Sequence, residues 1–213
     1  MDHPRLTPVG VLVLALLREG DMHPYEMMRL LRQRREDRLV PITNGTLYHT
    51  VGRLERDELI AQLGIDRGGN RPERTTYTLT DLGRAAVVDW VRRELPRIDR
   101  PGEFRLALSE AHNLSRGEVL QLLQQRRSAL LESLELDRVS LADVGENAFE
   151  RQFFIEIERS VTLLGTDIGW LETLLARLGG DAMPWGVPDL SSTAPVPKDP
   201  TNTDISAREA PVS

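Results

Sequence analysis

The stretch TNGTLYHTVGRLERDELI, Thr43 to Ile60, decides how the chain is read. Leu47, Val51 and Leu54 recur at i, i+4 and i+7, the apolar stripe of an amphipathic helix. Thr43, Asn44, Thr46, His49, Thr50 and Arg53 occupy the other face, with Tyr48 beside the stripe. A solvated helix ordinarily shows Glu and Lys there. Short donors and acceptors free of carboxylates suit base edges and phosphates in a major groove. A plain capped surface helix, with Thr43 or Asn44 as the N-cap, is the other reading of the same residues.

The flanking pattern gives this helix a setting. Thr7-Pro8 marks the start of a first helix through VGVLVLALL, ending near Gly20. His23-Pro24 opens a second, with Met27, Leu30 and Leu31 inward, and Pro41 closes the segment before the third. The period then changes to two. Leu59–Ile65 and Thr75–Thr80 read as strands around DRGGNRPER, a turn-rich loop. Three helices followed by a β-hairpin is the order of a winged helix-turn-helix. Arg67, Asn70, Arg71 and Arg74 in the loop suit the phosphate backbone or minor groove, or else an ordinary solvated hairpin. Thr80 caps a further helix, DLGRAAVVDWVRREL, which stops at Pro96.

A second, helical region begins near Pro101-Gly102. Ser115–Glu118 forms a capping box before VLQLLQQRRSALLESLEL. Phe154, Ile157, Val161, Leu164, Ile168, Leu171, Leu175 and Leu178 then alternate spacings of three and four, a heptad seam. So narrow a seam wants another helix and points to a two-fold homodimer. Trp90, Phe149, Phe153 and Trp170 supply aromatic surface, either for the core or for an effector pocket between the two regions. Residues 182–213 are rich in Pro, Ser and Thr and read as a disordered tail. The expected fold is therefore mainly α: a winged helix-turn-helix domain over 1–96, a helical dimerisation and candidate effector domain over 97–181, and the tail.

Composition excludes several classes. There is no cysteine, hence no disulfide, thiolate zinc site or cysteine nucleophile. His3, His23, His49 and His112 show no metal-ligand spacing. No apolar run reaches the ~18 residues that a membrane span needs. No phosphate-binding glycine loop or nucleophile–base pair suggests an enzyme. No cofactor and a cytoplasmic location are expected. The net charge is −6. Through residue 96 there are 15 arginines against 14 carboxylates, and beyond it 12 basic against 19 acidic residues. The amino-terminal part is thus free of the acidic field that would repel DNA.

The segments LTPVGVLVLALL, HPYEM, NGTLYHTVGRLERDELI and YTLTDLGR, in this order and spacing, resemble the PadR family of bacterial transcriptional regulators. The resemblance covers residues 5–95 in detail and extends loosely to about 180. It implies a winged helix-turn-helix with a helical dimerisation region, homodimers that bind operator DNA, usually as repressors, and in some members release by phenolic acids or drug-like aromatics. Two positions depart from the family pattern: Pro24 stands where the family has Gly, and His49 where it has Pro. A winged-helix protein–protein module is the alternative. It would place apolar residues on the exposed face of the third helix, which is polar here.

Overall fold

The computed structural model describes residues 6–66, 74–142, 152–180 and 183–186. Helix α1 spans Pro8–Glu19. Thr7 Oγ1 accepts from Gly10 N at 3.2 Å, and Pro8 occupies the first turn, where its missing N–H costs nothing. Eight of the twelve residues of α1 are buried, so it forms the centre of the amino-terminal core. Helix α2 spans Pro24–Gln33 and is capped by the ring of His23, whose Nδ1 accepts from Tyr25 N at 3.0 Å. Met27, Met28 and Leu31 face inward, while Leu30 is only half-buried. The chain leaves α2 through Arg35, at φ 57°, and a single 3-10 turn over Glu36–Arg38.

Helix α3 spans Asn44–Arg56, and Thr43 Oγ1 accepts from Thr46 N at 3.1 Å. Leu47, Val51 and Leu54 are buried as their spacing requires. Thr50 is buried too, at 4% exposure, and so leaves the polar face to which its position had assigned it. At i−4 from Leu54 it stands on the edge of the apolar stripe, and its methyl group can follow the stripe inward.

Strands β1 (Ile60–Asp66) and β2 (Arg74–Leu79) pair antiparallel, from Ile60 opposite Leu79 to Asp66 opposite Arg74, with a register shift between Gln62 and Gly64. Met22 adds one further rung, exchanging backbone hydrogen bonds with Tyr77 at 3.2 and 3.1 Å. This bridge ties the α1–α2 connection to the base of the wing. Helix α4 (Asp81–Glu94) starts at Thr80, whose Oγ1 accepts from Gly83 N at 3.0 Å and donates toward the carbonyls of Glu58 and Leu59.

Helix α5 (Pro101–Ser109) lies where the sequence marked only the start of a region. With nine residues its period is too brief to stand out. Helix α6 spans Arg116–Ala142 and α7 spans Ile155–Gly179, after a 3-10 turn over Gln152–Phe154. Ser115 Oγ accepts from Glu118 N at 3.2 Å, but the Glu118 carboxylate does not return to complete the capping box. It pairs with Arg92 of α4 instead, where a full opposite charge competes with a backbone N–H.

The heptad seam of α7 is filled within the chain. Ile168, Leu171 and Leu178 are buried, and Val161, Leu164 and Leu175 half-buried, against the stripe Val119, Leu123, Leu130 and Leu134 of α6. Arg127 of α6 donates to Glu172 of α7 at 2.9 Å, and Ser160 to Asp137 at 2.6 Å. The helix that the seam demanded is thus α6, because an antiparallel hairpin supplies it at far smaller entropic cost than a second chain. Between α6 and α5, the buried Arg126 guanidinium stacks on Phe104 at 3.5 Å and donates to the carbonyl of Arg97.

One apolar cluster runs from Leu6 to Leu178, across the boundary near residue 96. The tail starts later than its composition suggested. Met183 and Trp185 pack against the core, Trp185 Nε1 donates to the carbonyl of Leu114 at 2.9 Å, and Arg116 donates to Gly180 O at 3.1 Å and to Met183 O at 2.5 Å. The indole brings enough apolar area to offset the ordering of a short segment. Residues 187–213 lie outside the described residues.

Candidate nucleic-acid interface

Helix α3 presents Thr43, Asn44, Thr46, Tyr48 and His49 as exposed side chains. No carboxylate stands among them. The threonine hydroxyls of 43 and 46 lie 2.8 Å apart, so part of their capacity is used locally, in the cap. Tyr48 is half exposed.

Across from it, α2 contributes what the sequence reading missed. Tyr25, Arg29 and Arg32 recur at i, i+4 and i+7, opposite the buried Met27 and Leu31. Tyr25 is 64% exposed. The missed signal was this second, polar stripe on α2, overshadowed by the apolar one. Tyr25, Met28, Arg29 and Arg32 of α2 and Asn44 and Tyr48 of α3 enclose a groove of about 220 Å³. Arg32 Nη2 donates to Asn44 Oδ1 at 3.4 Å, which orients the amide. Arg29 pairs with Glu26, and the guanidinium holds the Glu26 carboxyl below its usual range. Two phenol hydroxyls, two guanidiniums and an amide thus line one groove. That set can bind phosphate oxygens at its rim and base edges at its floor.

Arg53 does not belong to this face. Its Nη2 donates to Thr7 Oγ1 at 2.8 Å, and its side chain lies in a cavity of about 320 Å³ with Trp90, Arg93, Glu94, Arg100 and Glu103. Nine positions separate Asn44 from Arg53, about two and a half helical turns, so the two stand on opposite flanks of α3. Of the wing residues, Arg67, Asn70 and Arg71 lie outside the described residues, and Arg74 enters only as the rung opposite Asp66.

Among the described residues, Trp90, Phe153 and Trp170 of the aromatic set assigned to an effector pocket line no common cavity among those found. Trp90 is buried and borders the Arg53 cavity. Trp170 and Phe104 form a T-shaped pair, with ring centres 6.4 Å apart at 86°, and Phe153 is 71% exposed. Phe149 lies outside the described residues. A third cavity, of about 280 Å³, joins Arg18 and Glu19 of α1 to Glu36, Arg84, Glu110 and His112. Burial pushes the Glu110 carboxyl up, against the opposing pull of His112 and of Asn113, whose Nδ2 donates to it at 3.1 Å. Among the described residues no group of His, Asp or Glu could hold a metal ion, and no helix is long and apolar enough to cross a membrane.

Residues 13–89, from α1 through most of α4, match the Transcriptional regulator PadR-like family. Over those residues the chain is similar to that family. That description is of transcriptional regulators. The negative transcriptional regulator PadR of Bacillus subtilis is 24% identical over 177 residues, 79% of this chain and 96% of that protein. Among solved structures, Bacillus subtilis PadR in complex with operator DNA is 21% identical, covering 81% of this chain and 99% of that one, with a TM-score of 0.40. The same protein in complex with p-coumaric acid is 20% identical, covering 82% and 100%, with a TM-score of 0.36.

Proposed function

We propose that this PadR-like regulator binds operator DNA as a homodimer, represses transcription there, and releases DNA when a small aromatic effector binds. Residues 1–96 do the reading and 97–181 hold the two copies together. The observation that carries the reading is the α2–α3 groove, with Tyr25, Arg29 and Arg32 facing Asn44 and Tyr48. In a helix-turn-helix the second helix enters the major groove while the first crosses the backbone. The groove divides in the same way. Asn44, Thr46 and His49 meet base edges, Tyr25, Arg29, Arg32 and Tyr48 meet phosphates, and Thr43 caps the helix that carries them. Arg67, Asn70, Arg71 and Arg74 of the wing add backbone charge.

The effector belongs to the repression mechanism suggested by family resemblance. The relatives include a negative regulator and a protein solved with p-coumaric acid. Dimer contacts fall on the outer faces of the α6–α7 hairpin, since its inner seam is filled. Leu136 and Val139 of α6 and Ile155, Leu163 and Trp170 of α7 are exposed on the hairpin and supply apolar surface for such contacts.

Selection of bound sequences from a random duplex pool, followed by footprinting, tests the reading. The expected result is one palindromic site with half-sites about one helical turn apart, or a multiple of it. On that site Asn44→Ala or His49→Ala should each cost about 1–3 kcal/mol, with little loss on random DNA. Tyr25→Phe, Tyr48→Phe and Arg32→Met should weaken both kinds of binding together. An unenriched pool and retention insensitive to salt would favour a protein-interaction module instead.

A further inference from the structure

We infer that Arg53 is a positioning residue that locks the DNA-facing helix α3 onto α1 through the hydroxyl of Thr7. The inference rests on the reading of α3 given above. Thr7 Oγ1 accepts two hydrogen bonds, from Gly10 N at 3.2 Å as the cap of α1 and from Arg53 Nη2 at 2.8 Å. A hydroxyl oxygen has two acceptor sites, and both are used. The first turn of α1 and the last full turn of α3 therefore share one atom.

The surroundings argue for a positional role. Arg53 stands on the flank of α3 opposite Asn44 and Tyr48, so its guanidinium faces α1 and α4 and away from the groove. Below it, Leu54 Cδ2 lies 3.6 Å from where a β-carbon on Gly10 would stand, so α1 and α3 approach closely at this level. Apolar contacts alone permit α3 to rotate or slide by small amounts at little cost, because they are not directional. A charge-assisted hydrogen bond to a fixed cap oxygen removes that freedom. Base readout needs side chains placed to a fraction of an ångström, which makes the lock matter for specificity. The cavity around Arg53 also contains Arg93 and Glu94 of α4 and Arg100 and Glu103, at or beside the start of α5. Arg53 is thus the α3 side chain that shares this cavity with the α4–α5 junction.

Arg53→Met, Thr7→Val, Thr7→Ser and the Arg53→Met/Thr7→Val double variant are compared with wild type on the selected site and on random duplex. Melting is followed in parallel, and binding is measured well below every transition. Arg53→Met and Thr7→Val should each lower specific affinity about tenfold, the double variant no further than the weaker single, and Thr7→Ser should bind like wild type. The salt slope should not change, whereas a lost phosphate contact would reduce it by roughly one per subunit. Arg53→Met is the cleaner single variant, because it leaves the α1 cap intact. Additive losses, a reduced salt slope, or an Arg53→Met protein that binds like wild type would overturn the inference while leaving α3 as the reader. A wild-type protein that enriches no sequence overturns both.

Discussion

Gly83, in the first turn of α4, lies against the backbone of Leu59 at the start of the wing, with no room for a β-carbon between them. A β-carbon at Gly83 would collide with the Leu59 carbonyl oxygen and stand 2.7 Å from Leu79 Cδ1. That same carbonyl receives the Thr80 hydroxyl, so the strand end and the helix cap meet at one oxygen. Backbone atoms give less than side chains do. Gly83→Ala should therefore cost about 3 kcal/mol and lower Tm by roughly 10 °C. Gly52→Ala, in open space within α3, should raise stability by about 0.5–1 kcal/mol. Thermal melts of the two variants check this contrast, and a Gly83→Ala protein melting with wild type would refute the steric argument.

The hairpin face and the hairpin seam respond differently to charge. Leu163→Asp with Trp170→Asp falls on exposed positions and should give a folded monomer. Leu171→Asp falls on a residue with no exposure and should cost more than about 4 kcal/mol, through an unpaired buried carboxylate. Sedimentation and circular dichroism distinguish them. A double variant that stays dimeric at micromolar concentration would place the interface elsewhere.

Trp185 ties the start of the carboxy-terminal segment to the core through its indole and the Leu114 carbonyl. Truncation after Gly186 should leave Tm unchanged, because residues 187–213 are too poor in large apolar side chains to offset their own ordering. Trp185→Ala should cost about 2 kcal/mol, from half-buried indole area and a lost hydrogen bond to Leu114. Equal melting of Trp185→Ala and wild type would show that the strap contributes nothing.

Glu110 gives stability a pH dependence of definite sign. Burial raises its pKa in the folded protein. The native state therefore holds the proton more tightly than the unfolded chain does. This contribution is fully present below the ordinary carboxyl pKa of about 4.3 and is lost as pH rises through the folded value. Glu110→Gln keeps the shape and removes the charge. It should melt higher than wild type at pH 8 and lose that advantage at pH 4. A difference independent of pH would assign the effect to another cause.

The order of elements through α4, the caps at Thr7 and Thr80, and the polar character of α3 were legible in the chain, while the α3 cap stood open between Thr43 and Asn44. Each depends on neighbours within a few residues, and local sequence specifies local hydrogen bonds and periods. The reach of Arg53 was not legible, since 46 positions separate it from Thr7 and nothing local selects that oxygen over a phosphate. Nor was the groove, because Tyr25 and Tyr48 become neighbours only when α2 crosses α3. The α7 seam makes the same point. Its spacing of three and four fixed that a helix must cover it, and the heptad pattern carries no label for which helix. The length and reach of α6 decided that, since a covalently tethered partner is always at high effective concentration.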